Sequence, residues 1–297
     1  MKILYIGNCQ SKPLNTISKM LCEKKGARFF SINHKLLLVN PSKAEEIINN
    51  CDLIISQPLS DRFDHYSTKS MKERFGERFI VIPNLFFQGY FPDLTYSGNE
   101  GQRNLSPIGD YHSALAIASF KLGVTSDRAV RVYNNQDFWS DPITSNIPNE
   151  SLKELKVREV ECDIKVSDFV EEYYRSRPLF FTVNHPTSIL FKCMVERIFD
   201  FLGVRYASVD DFFIRNNLID GPIFAMPEAY KNAVDIEFSQ PNYFSPLAKG
   251  GKLHNLNDFF KASHNLYETI PVDDLKYNQS SARVLEKRLI DFLGVYK

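Results

Sequence analysis

Four short apolar runs end in abrupt polar exits, and the residues at those exits are the ones able to do chemistry. Asn8-Cys9-Gln10 follows Lys2–Ile6 and Gly7, and Gln57-Pro58 follows Asp52–Ser56. Pro83-Asn84 follows Phe79–Ile82, and Asn184-His185-Pro186 follows Leu179–Val183. A thiol, an imidazole and several amides supply what acyl transfer needs: a nucleophile, a base, and donors for a developing oxyanion. Cys9 and His185 are therefore the candidate catalytic residues. Asn8, Gln10, Gln57, Asn84, Gln88 and Asn184 are the candidate oxyanion or substrate contacts. Gly7 before Cys9 and Pro13 after it put the thiol at a strand-to-helix turn, where helix N–H groups favour a thiolate. Cys9 is thus expected to ionise more readily than Cys22, Cys51 or Cys193, which read as core.

Every one of these residues also has an ordinary reading. Cysteine is among the most buried residue types, a loop histidine often does nothing, and Gln or Asn at such places commonly caps a helix or turn. Convergence is what separates the two readings, and convergence depends on the elements. Pro13–Lys25 carries Leu14, Ile17, Met20 and Leu21 at helical spacing, and Gly26 stops it. Ala27–Ile32 reads as a second strand, Pro41-Ser42 as a helix start, and a polar helix runs to about Phe75. Strands alternating with helices predict an α/β fold of SGNH or flavodoxin-like type, with a mostly parallel sheet covered on both faces. In such sheets ligands bind outside the carboxyl ends of the strands, so Cys9, Gln57, Asn84 and His185 are expected on one rim.

Residues 83–110 break the pattern with an aromatic, Gly-containing stretch, and Phe86–Phe91 is expected to wall a cleft. Helical periodicity returns at His112–Leu122 and Val166–Tyr174, with a strong helix at Ile189–Leu202 and a closing one at Ala282–Leu293. Domain boundaries are expected at 1–204 for the α/β catalytic domain and 205–297 for an α-rich lobe. Leu-Gly-Val recurs at 122–124, 202–204 and 293–295, which glycine capping of helix ends explains better than an internal repeat. His34, His65, His254 and His264 read as surface residues. His112 fits either core or site.

Lys+Arg and Asp+Glu are both 36 in 297 residues, so no global field favours nucleic acid or an anionic membrane. The first apolar run is too short for a signal-peptide core, and no window approaches the ~20 apolar residues of a membrane span. Five scattered cysteines without a C-x-x-C pair suit a reduced compartment, and the histidines lack metal-ligand spacing. A cytoplasmic, metal-free protein is expected. There is no phosphate loop and no G-x-G-x-x-G, which disfavours nucleotide hydrolysis and hydride transfer.

IGNCQ at 6–10, ISQP at 55–58, NLFFQGYFPDL at 84–94 and TVNHPT at 182–187 together resemble the WcbI family over roughly residues 1–205. That resemblance implies a polysaccharide-biosynthesis enzyme: an O-acetyltransferase taking acetyl-coenzyme A as co-substrate and a sugar-nucleotide or glycan as acceptor, in capsule or surface-polysaccharide assembly. Lys12 and Arg103 are the candidate contacts for coenzyme A phosphates. The layout is also similar to SGNH hydrolases, with Cys9 where those have Ser, and Thr182 three residues before His185 where those usually have Asp. Asp110 or a backbone carbonyl is then needed to orient the base. Two rival functions use the same rim: an SGNH-like esterase or deacetylase with water as acceptor, and a non-enzymatic glycan-binding protein.

Overall fold

The computed structural model describes residues 1–99, 101–216, 218–246 and 254–294. Along the chain, β1 (Lys2–Gly7), α1 (Ser11–Leu21), β2 (Arg28–Asn33), α2 (Lys35–Val39), α3 (Pro41–Asn49), β3 (Leu53–Ser56), α4 (Thr68–Phe75) and β4 (Phe79–Val81) come first. The helices α5 (Ala114–Lys121), α6 (Ser126–Tyr133), α7 (Gln136–Trp139), α8 (Pro142–Ser145), α9 (Ile147–Arg158), α10 (Ser167–Tyr173) and α11 (Ser188–Phe201) follow. Last come α12 (Glu228–Ala233), α13 (Leu256–Tyr267) and α14 (Ser280–Leu293). The chain divides into two units that interleave in sequence. The first holds residues 1–86, 152–173 and 185–218, and the second holds 87–151, 174–184 and 219–297. The division is therefore not a single break near residue 204: the α-rich part takes in residues 87–151 as well as the C-terminal stretch.

The first unit is built on a four-stranded parallel sheet in the order β2-β1-β3-β4. Alternation along β1 decides which helices cover which face. Leu4 and Ile6 point to the side where Ala44 and Ile48 of α3 and Met71 of α4 are buried with them. Tyr5 points to the other side, where its hydroxyl meets Ser18 Oγ of α1 at 2.6 Å. On α1 the buried Leu14, Ile17 and Leu21 fall on one stripe, as the spacing predicts. α11 packs beside α1, and its Phe199 ring lies 6.0 Å from Phe29 of β2.

The Leu179–Val183 run does form a strand, at Phe180–Thr182, but that strand is no part of the four-stranded sheet. A place beside β4 is already taken. The Val81 N–H donates to Asp163 Oδ2 at 2.7 Å, and the Asp163 N–H returns to the Val81 carbonyl at 2.9 Å. With its edge groups paired to a loop, β4 closes the sheet.

The second unit is mostly helical, with α5 packed on α13 and α14, and α6 on α13. The aromatic stretch after Phe86 belongs to its core rather than to a cleft wall. Phe87, Tyr90 and Phe91 are all but fully buried, and Phe87 stacks on Phe180 with centroids 5.6 Å apart. The Tyr90 hydroxyl donates to the carbonyls of Tyr174 (2.7 Å) and Arg177 (2.9 Å). Ring area, once buried, is the largest apolar contribution a residue can make, and here it outweighs the loop-like composition of the segment.

Two of the Leu-Gly-Val sequences are helix caps. Gly123 and Gly203 adopt φ of +65° and +61°, and the next N–H reaches back to the Ser119 and Phe199 carbonyls, both at 2.8 Å. That is the six-to-one bond of a Schellman end. Gly294 has φ +63°, and Val295 lies outside the described residues.

Candidate functional site at the carboxyl end of the parallel sheet

The strand order changes direction between β1 and β3, and an open α/β sheet has its natural crevice outside the carboxyl ends at that point. The loop after β1 carries Asn8-Cys9-Gln10, and the loop after β3 begins at Gln57, whose N–H donates to the Ile6 carbonyl at 3.0 Å. After β4 the ladder continues through Ile82, and Asn84 follows two residues on. Three of the four predicted exits thus lie level on one rim.

Their amides bind one another. Asn8 N–H donates to Gln57 Oε1 (2.9 Å), and Gln57 Nε2 donates to Gln10 Oε1 (2.7 Å). Asn8 Nδ2 donates to Asn84 Oδ1 (3.1 Å), and Asn8 Oδ1 in turn accepts from the Gln10 N–H (2.9 Å). Gln10 also clamps a backbone: its Nε2 donates to the Leu85 carbonyl at 2.7 Å while its Oε1 accepts from the Leu85 N–H at 3.1 Å. Gln10 and Gln57 are 0% and 5% exposed, so their amides shape the rim from below rather than face solvent. Arg158 Nη2 holds the next carbonyl, that of Phe86, at 2.7 Å. Three loops are tied into one rigid platform. Cys9 sits on it.

Of the five cysteines, all free, Cys9 alone is exposed, while Cys51, Cys162 and Cys193 are buried and Cys22 is half-buried. Protein packed around the accessible thiol nevertheless pushes its pKa up, opposed in part by a backbone hydrogen bond. This corrects the expectation of an easily formed thiolate. α1 begins at Ser11 with Gln10 as its cap, so Cys9 lies one residue outside the helix, and the desolvation cost wins over the dipole. Burial likewise drives the buried thiols up, Cys193 to about 11 and Cys162 to about 12.

His185 reaches this end of the unit by a different element from the one its sequence suggests. The carboxyl ends of α1 and α11 lie together: the Ala207 N–H donates to the Leu21 carbonyl (2.8 Å), and the Glu23 N–H to the Arg205 carbonyl (3.2 Å). Packed side by side, the two helices run the same way, about 15 and 20 Å long at 1.5 Å per residue. Both amino ends, with Cys9 just before one and His185 just before the other, are carried to the carboxyl end of the sheet. His185 is half-buried, and that burial lowers its pKa, so its imidazole is neutral at pH 7. His34, read from the sequence as a surface residue, belongs to the rim beside Gly7. It directly follows β2, and its N–H donates to the Gly7 carbonyl at 2.8 Å. The signal was present, since Asn33-His34 is a polar strand exit like the others.

The remaining candidates lie elsewhere. Lys12 is exposed on the first turn of α1. Gln88 belongs to the second unit, buried, with its Nε2 on the Leu94 carbonyl at 2.9 Å and its N–H on Ser151 Oγ at 2.7 Å. Asn184 is also in the second unit. It is held between two tyrosines: Tyr111 donates to its Oδ1 at 2.9 Å, and its Nδ2 donates to the Tyr96 hydroxyl at 3.2 Å. Arg103 stacks over the Tyr96 ring at 3.8 Å and pairs with Asp110 at 3.6 Å. His112 is a fully buried core histidine between Tyr267 Oη (2.9 Å) and the Asn104 carbonyl (3.0 Å). His254 is buried too, and His264 meets Ser119 Oγ at 2.9 Å, so neither is a simple surface residue. Among the described residues no group of three or more His, Cys, Asp or Glu is placed to hold a metal, and no helix is long and apolar enough to cross a membrane.

The sequence model of the family described as "Polysaccharide biosynthesis enzyme WcbI" matches residues 2–206, about two thirds of the chain and the whole of the rim. The chain belongs to the WcbI family. A solved WcbI structure, described as a novel polysaccharide biosynthesis enzyme in its native form without a disulfide bond between coenzyme A and one of its cysteines, superposes with a TM-score of 0.74. It is 21% identical, and the alignment covers 97% of this chain and 98% of that one, so the WcbI fold extends through the α-rich part as well. No curated protein sequence matches.

Proposed function

We propose that this WcbI-family protein is a coenzyme A-dependent O-acetyltransferase acting on a hydroxyl of a sugar-nucleotide or glycan acceptor. The observation that carries this reading is Cys9, the one exposed cysteine, fixed on an amide platform at the switch point of the sheet. A thiol so placed suits a pocket for a thioester, and it agrees with the description of the WcbI structure in terms of coenzyme A and a cysteine. Two helix amino ends at the same end of the unit, with Lys12 on the first turn of α1, favour an anionic co-substrate.

The chemistry then needs a base, and a neutral imidazole is the form that can act as one. In direct transfer, His185 takes the proton of the acceptor hydroxyl as its oxygen attacks the thioester carbonyl. The tetrahedral adduct expels the coenzyme A sulfur, which receives that proton. In the covalent route Cys9 attacks the thioester carbonyl first, giving its proton to His185, and coenzyme A leaves as the thiol carrying that proton. The acceptor hydroxyl then gives its proton to His185 as its oxygen attacks the acyl-cysteine, and the departing Cys9 sulfur takes that proton back. The thiol of Cys9 is protonated at pH 7, so this route also depends on the base.

Thermal unfolding with and without coenzyme A tests the reading. At 100 times Kd, one native-state site adds about 2.7 kcal/mol, which is a plainly raised midpoint. An unchanged midpoint at millimolar coenzyme A, with the apo protein folded, removes the acyltransferase assignment.

A further inference from the structure

A cleft of about 480 Å³ is lined by described residues of the second unit alone. That volume is within the range of small-molecule sites, roughly 300–1,000 Å³. None of the residues at the sheet rim contributes to it.

Its lining is unusual in composition. Asn134, Gln240, Asn242, Asn255 and Asn257 are five amides among thirteen described lining residues, arriving from the end of α6, the segment after α12 and the start of α13. An amide presents donors and an acceptor side by side, which matches a sugar hydroxyl that must both give and receive. Between the amides lies an apolar floor of Val130, Ala225 and Met226, the kind of surface that the C–H face of a pyranose covers. The floor is rigid. Tyr133 beneath it is buried, and its hydroxyl donates to the Ala225 carbonyl at 3.0 Å. Asn255 is anchored as the cap of α13, accepting from the Asp258 N–H at 2.9 Å.

The charges argue for an uncharged ligand. Lys231 and Glu228 both line the cleft and pair with each other at 3.3 Å, so the cation is already neutralised. Tyr133, the one aromatic among the described lining residues, has its ring buried and offers no face for stacking a base. We propose that this amide-lined cleft binds a neutral saccharide. The inference rests on the sugar-acceptor reading above and assigns the place where uncharged sugar units are held.

Saturation-transfer NMR of the full chain tests it, with neutral oligosaccharides built from glucose, galactose, mannose and N-acetylglucosamine as probes. Glucuronate and glucose 1-phosphate serve as anionic comparators. The expected result is saturation of at least one neutral probe, insensitive to salt between 50 and about 500 mM because no charge pairing is involved. Asn134→Ala combined with Asn242→Ala removes two exposed amides and is expected to weaken that probe roughly tenfold, at about 0.5–1.5 kcal/mol per hydrogen bond. Cys9→Ser is expected to bind the probe as the native chain does. Saturation of no neutral probe, of the anionic comparators alone, or of a neutral probe equally by the double variant overturns the proposal. A folded double variant is recognised by an unchanged melting midpoint. Should its midpoint fall, Gln240→Ala combined with Asn257→Ala, which removes two other lining amides without touching a helix cap, takes its place with the same expected loss. Coenzyme A binding measured on the same samples reports separately on the acyltransferase reading.

Discussion

Gln57 occupies the space that a side chain on residue 7 would need. A Cβ built on Gly7 would lie 2.7 Å from Gln57 Oε1, the same oxygen that accepts the Asn8 N–H at 2.9 Å. The close approach of β3's exit to β1's exit therefore requires glycine, and it holds the turn on which Cys9 stands.

Gly7→Ala is accordingly expected to push Gln57 aside and break the amide platform. Overpacking and a lost buried hydrogen bond each cost on the order of 1–3 kcal/mol. The melting midpoint should fall by several degrees, and coenzyme A binding should weaken beyond what the stability loss explains. A variant with native melting and native binding would mean that the platform does not depend on this contact.

Cys9 should be the first cysteine to react with iodoacetamide, because it alone is exposed, yet it should react slowly at pH 7. Its pKa is raised, so the rate should climb steeply with pH and be half-maximal above the ordinary thiol value of about 8.5. Peptide mapping after limited alkylation gives the order, and bound coenzyme A should protect the residue. Incubation with acetyl-coenzyme A and no acceptor then separates the two routes. One added acetyl mass, released by hydroxylamine, is the covalent signature. Near-normal transfer by Cys9→Ala would leave direct attack.

His185→Ala should lower the rate of coenzyme A release in the presence of acceptor by ~10²–10⁴, the usual contribution of a general base, with the fold unchanged. Because burial lowers its pKa, the neutral form persists below pH 6.5, and the acid limb of the native rate profile should fall on the acid side of that value. His34→Ala, at the exit of β2, is the control. If it costs more than His185→Ala, the base is His34.

Asp93 sets a pH dependence of stability independent of the rim. It is fully buried beside the start of α5, where its Oδ1 accepts the Leu115 N–H at 2.8 Å and its Oδ2 has no partner. Burial raises its pKa to about 7. The folded chain then holds a proton that the unfolded chain has lost, so this group's contribution is fully present below about pH 3.9. It declines as pH rises through 7 and levels off above. Asp93→Asn keeps an acceptor for Leu115 and carries no charge, so its midpoint in urea should gain on the native chain between pH 5 and pH 8. Parallel pH curves for the two proteins would assign the carboxyl no such role.

Local pattern alone was enough for much of this protein. Gly7, Pro13 and the spacing of Leu14, Ile17 and Leu21 determined a strand, turn and helix around Cys9, because each signal acts within a few residues. The alternation through β4 determined a parallel sheet, since right-handed crossovers leave little choice of topology. What the tertiary structure decided was everything that depends on residues distant in sequence. Asp163 closes the edge of β4, so Phe180–Thr182 forms its strand outside the sheet, and His185 is carried toward the carboxyl end of the sheet by α11, packed on α1. Phe87, Tyr90 and Phe91 look like a cleft wall in isolation and are core because Tyr174 and Phe180 meet Phe87 and Tyr90, and Phe224 meets Phe91. The thiol of Cys9 shows the limit most clearly. Its place at a turn follows from neighbours in sequence, whereas its ionisation depends on the protein volume packed around it. Desolvation sums over atoms from the whole unit, and no spacing along the chain records that sum.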